Sequence, residues 1–307
     1  EDIRNMLNDG TKMVFITAGM GGGTGTGAAP IIAREAKAMD ILTVGIVTIP
    51  FLFEGNKKID QALDGVEEIS KHVDALLVIN NERLREIYPD LNVLSAFQKA
   101  DNTLSVAARS IAEIITMHGI INLDFRDVCT VLKDGGVAIM STGYAEGEGR
   151  VSRAIEDALH SPLLNNNDIY NSKKVLLSIW FCAEHEGDTL MMEEMNEVHE
   201  FMSKFRADVE TKWGLSVDPS LGKKVKITIL ATGFGISNVP GLKDKLAAEN
   251  DARLAEEAEA QEEKEERRGT FYGNSDKRSG QRKRPKVFLF GLDDLDNEEV
   301  ISMLEQS

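Results

Sequence analysis

Six glycines fall within nine residues in Gly19-Met20-Gly21-Gly22-Gly23-Thr24-Gly25-Thr26-Gly27. The apolar run Met13 to Ala18 precedes this cluster, and Ala28-Ala29-Pro30 opens a stretch of helical character that runs to about Met39. The pattern predicts a buried strand, a glycine loop and a helix starting at Ala28, with Pro30 in the first turn, where its missing N–H costs nothing. Unencumbered backbone amides at the positive end of a helix form a phosphate site. No Gly-Lys-Ser/Thr follows, so this is not a Walker loop. The phosphate charge would be met by amides, the Thr24 and Thr26 hydroxyls and a metal ion. Gly23-x-Gly25-x-x-Ala28 also fits the loose dinucleotide fingerprint of an NAD-dependent dehydrogenase, but no acidic residue stands near Thr48 to Pro50, where that fingerprint needs one. None of the five histidines lies in a string suited to proton transfer. Cys182-x-x-His185 lacks a second ligand pair, so no protein metal site is expected there. A glycine loop can simply permit a close helix contact. Six glycines cost enough chain entropy to favour a ligand instead.

The elements that position the loop read as alternating strands and helices. Beyond a short helix ending at Leu7, strands are expected at Ile41 to Ile49 and Ala75 to Ile79 with a helix from Ile59 to His72. These are right-handed β-α-β crossovers and a parallel sheet. Leu104, Ala108, Ile111 and Ile115 recur at helical spacing and predict a long central helix from Asn102 to Met117. A mixed set follows, with strands near Val137 to Ser141, Val175 to Cys182 and Val225 to Thr232, and helices near Val151 to Leu159 and Thr189 to Phe205. The stripe Met191, Met195, Val198, Met202, Phe205 reads as core packing. The fold class is therefore α/β. Its organisation is an α/β region with a phosphate-suited loop over 1–100, a central helix and connection over 101–121, a second α+β domain over 122–240, a disordered linker over 241–286 and an apolar terminal peptide over 287–307.

The tail divisions follow from composition. Asn250 to Arg268 is dominated by Glu, Ala and charged residues, and the stretch to Pro285 is rich in Gly, Ser, Lys and Arg, so folding it would bury little apolar surface. Val287, Leu289, Phe290, Leu292, Leu295, Val300, Ile301 and Leu304 then form an apolar island that either docks on a partner or folds back on this chain. Over the whole sequence, 35 Lys and Arg against 51 Asp and Glu give a net charge of −16, which argues against nucleic acid as a partner. The longest apolar run, Ile41 to Phe53, is broken by polar residues and Pro50, so no membrane insertion is expected. Two cysteines and no charged-then-apolar leader suggest a reducing cytoplasm.

The string Gly19 to Pro30 resembles the signature of the FtsZ family, the tubulin-like division proteins. Further matches run in order: Pro50-Phe-Leu-Phe-Glu-Gly55, Lys71-His-Val-Asp74, the string from Asn122 to Asp127, Ser161-Pro-Leu-Leu164 and Ala231-Thr-Gly233. The resemblance covers roughly residues 12 to 235. It implies a tubulin-like fold with a partial Rossmann-like GTP-binding domain, binding of GTP and GDP with Mg2+, head-to-tail filaments and GTP hydrolysis at the junction between subunits. It further implies a place in the cytoplasm at the mid-cell division ring, with membrane-anchoring and regulatory division proteins held through the C-terminal peptide. Relatives carry an earlier strand and a first glycine-rich loop, so the chain looks like a fragment beginning after them.

Carried over by position, Gly21, Gly22, Gly23, Thr24, Gly25 and Thr26 would hold phosphates. Glu54 would accept from the ribose hydroxyls, Asn81 would lie near the base, and Phe97 would stack on guanine. Asp101 would accept from guanine N1–H and the exocyclic amine, and its position also suits an N-cap ahead of Leu104. Lys58 stands where many relatives have arginine, keeping the charge but not the bidentate fork. Asp124 and Asp127, oriented with help from Asn122, would polarise a water for in-line attack and help hold a cation. Spacing alone leaves them equally open as loop acids or caps. A central helix of about 24 Å separates these acids from the base contacts, so they would act on another subunit's nucleotide. A scaffold that binds nucleotide without hydrolysing it would be expected to lose one of these acids, and both are present.

Overall fold

Every residue of the strand β2 (Leu42–Ile49) is buried, because its two faces are covered by different helices. Leu42, Val44 and Ile46 face one layer while Val47 and Ile49 face the other, the period of two that a strand imposes. The computed structural model describes residues 2–160, 169–184, 188–239 and 242. In chain order the other elements are α1 (Asp2–Leu7), β1 (Met13–Gly19), α2 (Gly23–Ala38), α3 (Asn56–Ser70), β3 (Ala75–Asn80), α4 (Asn81–Ile87) and α5 (Val93–Thr116). After them come β4 (Gly119–Ile121), α6 (Phe125–Leu132), β5 (Gly136–Glu146), α7 (Arg150–Leu159), β6 (Lys174–Phe181), α8 (Glu194–Ser203), β7 (Glu210–Val217) and β8 (Lys224–Phe234).

Among the described residues the strands form one eight-stranded sheet in the order β1-β2-β3-β5-β8-β6-β7-β4. β1, β2, β3 and β5 run parallel to one another, as β-α-β crossovers require. β8 runs antiparallel to both β5 and β6, while β6 and β7 are parallel. Helices α2, α3, α7 and α8 contribute to the core on one face, with Ala33, Val66, Ile69, Val151 and Phe201 among its buried residues. Helices α5 and α6 cover the other through Ile111, Ile114, Val128, Val131 and Leu132. Among the described residues, no helix is long and apolar enough to cross a membrane.

Several expectations are corrected. β1 is half-buried rather than buried, because it is the sheet's edge strand among the described residues. α2 begins at Gly23, so the second half of the glycine cluster is its first turn and Pro30 lies inside the helix. The central helix begins at Val93, not Asn102, with Asn92 as its N-cap through a 2.9 Å bond from the Ser95 amide. Asp101 is therefore an exposed mid-helix residue and not a cap. α8 is shorter than the stripe suggested: Val198 and Phe205 are buried, but Met191 is 59% exposed. The motif Ser161 to Leu164, His185, the linker 241–286 (Leu242 apart) and the peptide 287–307 lie outside the described residues.

Candidate functional site

Three segments converge at the C-terminal ends of the parallel strands β1, β2 and β3, where α/β sheets bind ligands. The first is the glycine loop after β1. Gly21 has φ +92°, and a Cβ there would lie 2.6 Å from the Lys58 carbonyl oxygen, so only glycine fits. At Gly25 a Cβ would stand 2.2 Å from the Gly19 carbonyl oxygen, so α2 presses directly on the end of β1. Gly22 and Gly23, by contrast, face open space. The loop closes on itself when the Gly21 amide donates to Thr26 Oγ1 at 2.9 Å, and the Met20 amide donates to the Thr48 carbonyl at 3.0 Å. Gly22 caps α2 without a side-chain hydrogen bond, which leaves the amides of the first turn to an external acceptor. A cleft of about 300 Å³ opens there, lined by Gly21, Gly22, Gly23, Thr26, Gly27, Gln61 and Asp64. Thr24, in the first turn of α2, is exposed and does not line this cleft.

The second segment follows β2. Phe51 is fully buried and leads into the short 3-10 turn Leu52–Glu54. Glu54 accepts from the Phe51 amide at 2.9 Å and from Lys58 Nζ at 2.5 Å. The proposed ribose acceptor is thus already paired with the cation beside the glycine loop. The rings of Phe51 and Phe53 stack at 5.0 Å, and Phe97 meets them edge-on at 5.3 and 6.1 Å. Phe97 remains 39% exposed, so an aromatic corner offers a ring to a flat ligand.

The third segment follows β3. Asn80 caps α4 through the Glu82 amide at 3.0 Å, and Asn81 is buried with its Oδ1 lacking any hydrogen-bond partner. A buried carbonyl oxygen without a partner costs free energy unless a ligand supplies a donor. The structure therefore gathers the glycine loop, Glu54, Lys58, Asn81 and Phe97 at one end of the sheet. Asp101 lies one helical turn beyond Phe97 on α5.

Asn122, Asp124 and Asp127 are elsewhere. From Asp101 to Thr116, the last residue of α5, is about 22 Å at the helical rise, and these three residues follow that end. Asn122 Oδ1 accepts from the Gly119 amide at 2.6 Å. Asp124 and Asp127 form a reciprocal capping box on α6, with amide-to-carboxylate distances of 3.0 and 3.1 Å. The bond from the Asp127 amide holds the Asp124 carboxyl below its ordinary range. Asp127 also pairs with Lys212 at 3.2 Å. Only Asp124 belongs to the loop, since Asp127 sits in the first turn of α6.

Sequence reasoning missed Gln61 and Asp64, which line the cleft from α3, and Lys212. The spacing of Gln61 and Asp64, three residues apart on a helix after the loop, was the available signal. For Lys212 there was none, because the pairing depends on how β7 lies against the start of α6.

A family model described as the GTPase domain of the Tubulin/FtsZ family matches residues 1–89, the FtsZ family C-terminal domain matches 136–235, and a further FtsZ C-terminal model matches 282–307. The cell division protein FtsZ of Porphyromonas gingivalis is 52% identical over 99% of this chain and 67% of its own length. Cell division protein FtsZ 1 of Thermococcus kodakarensis is 43% identical over 76% of this chain and 60% of its own. The chain thus spans about two thirds or less of the length of these relatives. Among solved structures, an empty FtsZ dimer from M. jannaschii aligns with TM-score 0.68 and 37% identity over 76% of this chain and 66% of that one. CetZ1 from Haloferax volcanii, at 20% identity and TM-score 0.66 over 82% of this chain and 73% of its own, shares the fold. With sequence, family models and fold in agreement, the chain belongs to the FtsZ family of tubulin-like cell-division GTPases.

Proposed function

We propose that this chain binds GTP at the ends of β1 to β3, assembles head to tail, and hydrolyses GTP where two copies meet. The observation that carries this reading is the separation along α5. Phosphate, ribose and base contacts stand at one end of that helix and the acids at the other, so a single copy holds two halves of a site and not one whole site.

The glycine-loop amides receive the phosphates with help from Thr24, Thr26 and Lys58. Glu54 receives the ribose, Asn81 and Phe97 the base, and Asp101 the guanine N1–H and amine. Adenine presents no such pair of donors to Asp101, and a buried mismatch costs about 1 to 3 kcal/mol per unsatisfied group. Mg2+, when bound, would supply charge neutralisation for the phosphates, and Asp124 and Asp127 of the next copy would help hold it. Asp124 and Asp127 of the next copy, held by α6 and steadied by Asn122, orient a water in line with the γ-phosphorus. The new P–O bond forms as the bond to the β-phosphate oxygen breaks. The chain supplies positioning and electrostatics rather than covalent chemistry.

A repeated front-to-back contact that does not close gives an open filament. Nucleotide state then biases assembly through the different affinities of GTP- and GDP-bound junctions. Residues 1–100 serve as the nucleotide domain, 101–121 as the connecting helix and 122–240 as the domain carrying the acids. The segment 287–307, tethered by 241–286, is proposed to recruit membrane-anchoring and regulatory proteins at the division ring, with avidity along the filament supplying strength.

The test is a mixing experiment with the full-length protein. Asp127→Ala lacks the acid end, and Gly25→Ala lacks the phosphate end. Each alone should be inactive, and a mixture should regain GTP turnover because one junction in each alternation is intact. No recovery on mixing, together with turnover per molecule that is independent of concentration, would place the reaction within one copy.

A further inference from the structure

We propose that Glu82 is a positioning residue that sets the ribose and base side of the nucleotide site, a role that rests on the GTP reading above. Glu82 lies in the first turn of α4 and is only 8% exposed. A carboxylate buried this far must be paired. One oxygen, Oε1, is held by the Arg85 guanidinium, with Nε at 2.5 Å. The other, Oε2, reaches thirty residues back along the sequence to accept from the Leu52 amide at 3.1 Å.

That amide is the first of the 3-10 turn Leu52–Glu54. The preceding amide, of Phe51, is held by Glu54 itself. Two carboxylates therefore fix two successive amides, and the turn between them aims Glu54 and carries the rings of Phe51 and Phe53 against Phe97. A first-turn acid that served only the helix dipole would need no bond to Leu52. Beside Glu82 stands Asn81 with its unpartnered Oδ1. The bond from Leu52 to Glu82 thus joins the segment offered to the ribose to the segment offered to the base. The phosphate loop keeps its own bonds, Gly21 to Thr26 and Met20 to Thr48, and meets this assembly through Lys58, which pairs with Glu54.

The arrangement separates two ligands. Removing the Glu82 carboxylate should loosen the nucleoside end of the site far more than the phosphate end, which it reaches only through the Glu54–Lys58 pair. In the full-length protein, Glu82→Ala is expected to weaken GTP and GDP about tenfold, in keeping with the loss of one charge-assisted hydrogen bond. Inorganic tripolyphosphate should bind within about twofold of wild type, and kcat at saturating GTP should change little. Glu82→Gln, which keeps an acceptor for Leu52, should recover most of the affinity. Hydrogen exchange should quicken at the Leu52 amide in Glu82→Ala and not elsewhere in the core.

A second variant approaches from the other side of the bond. Leu52→Pro deletes the donor at a helix's first position, and Phe51, at φ −67° and ψ 153°, already has the extended conformation a following proline requires. It should weaken GTP to a similar extent with Glu82 untouched, and it serves if Glu82→Ala does not fold. Faster exchange at Leu52 with unchanged GTP affinity would overturn the assignment and leave the GTP site standing. Equal losses for GTP and tripolyphosphate would also overturn it, by showing general loosening. Wild-type protein that binds no GTP would overturn both readings.

Discussion

The two ends of α5 are built in different ways. At the nucleotide end, the fold is fixed by backbone pressed on backbone: Gly25 against Gly19, Gly21 against Lys58. Buried polar groups there are left waiting, as at Asn81. At the acid end, two carboxylates on the surface satisfy each other's amides and hold a helix of eight residues. The first region is closely packed and leaves a buried acceptor unpaired. The second is complete as a cap, and the catalysis proposed for it would draw on groups already employed to start α6. On the proposed reading, the binding surface demands residues of one shape, whereas the donated catalytic surface demands residues of one charge in the right place.

The largest expected effect tests that division directly. Asp127→Ala should lower GTP turnover by a factor of about 100 or more, a size found for lost electrostatic positioning, while GTP affinity stays within about twofold. Phosphate release and equilibrium binding measured on one preparation decide it, and a matching loss of affinity would merge the two ends into one site. Next in size, Gly25→Ala should cost about 2 to 3 kcal/mol in urea unfolding, because the clash is with backbone that cannot swing aside. Gly22→Ala is the contrast, since its Cβ meets open space: stability should move by less than about 0.5 kcal/mol while GTP binding weakens.

Smaller still, Asp124→Ala should lower the thermal midpoint by about 2 °C through loss of the cap. Asp124→Ser should restore the midpoint and not the turnover, which would separate capping from catalysis in a single residue. The smallest effect is in pH. Because the Asp127 amide depresses the Asp124 pKa in the folded chain, the stabilisation is fully present above the unfolded value of about 4 and is lost only as pH falls through the lower folded value. An NMR titration of the Asp124 carboxyl that follows an ordinary aspartate would break the box.

Much of the nucleotide end was legible in the sequence. Strands β2 and β3 are apolar runs between turn residues, and the glycine loop lies between a strand and a helix as its composition requires. The start of α5 was hidden because Val93, Leu94 and Phe97 are exposed, so their apolar character does not mark a buried face. The signal lay instead in Asn92, a cap three residues before Ser95. α6 was missed because its opening box is Asp-x-x-Asp and not the commoner Ser/Thr-x-x-Glu. Pro30 was misplaced because glycines weaken helix propensity without forbidding the first turn. The bond from Leu52 to Glu82 gave no local sign, since the two lie thirty residues apart and pair only once β2 and β3 are side by side.

The seam in the sheet has a mechanical consequence. β3 joins β5 through three residue pairs, from Ala75 with Gly136 to Leu77 with Ala138, whereas β2 to β3 has six and β5 to β8 has ten. A load entering the sheet on one side of this waist leaves it through three slanted parallel rungs, aided by the helices that lie across them. With fewer rungs to share the load, bending and torsion in the plate are expected to concentrate along the line from Gly136 to Ala138 before either half yields within itself.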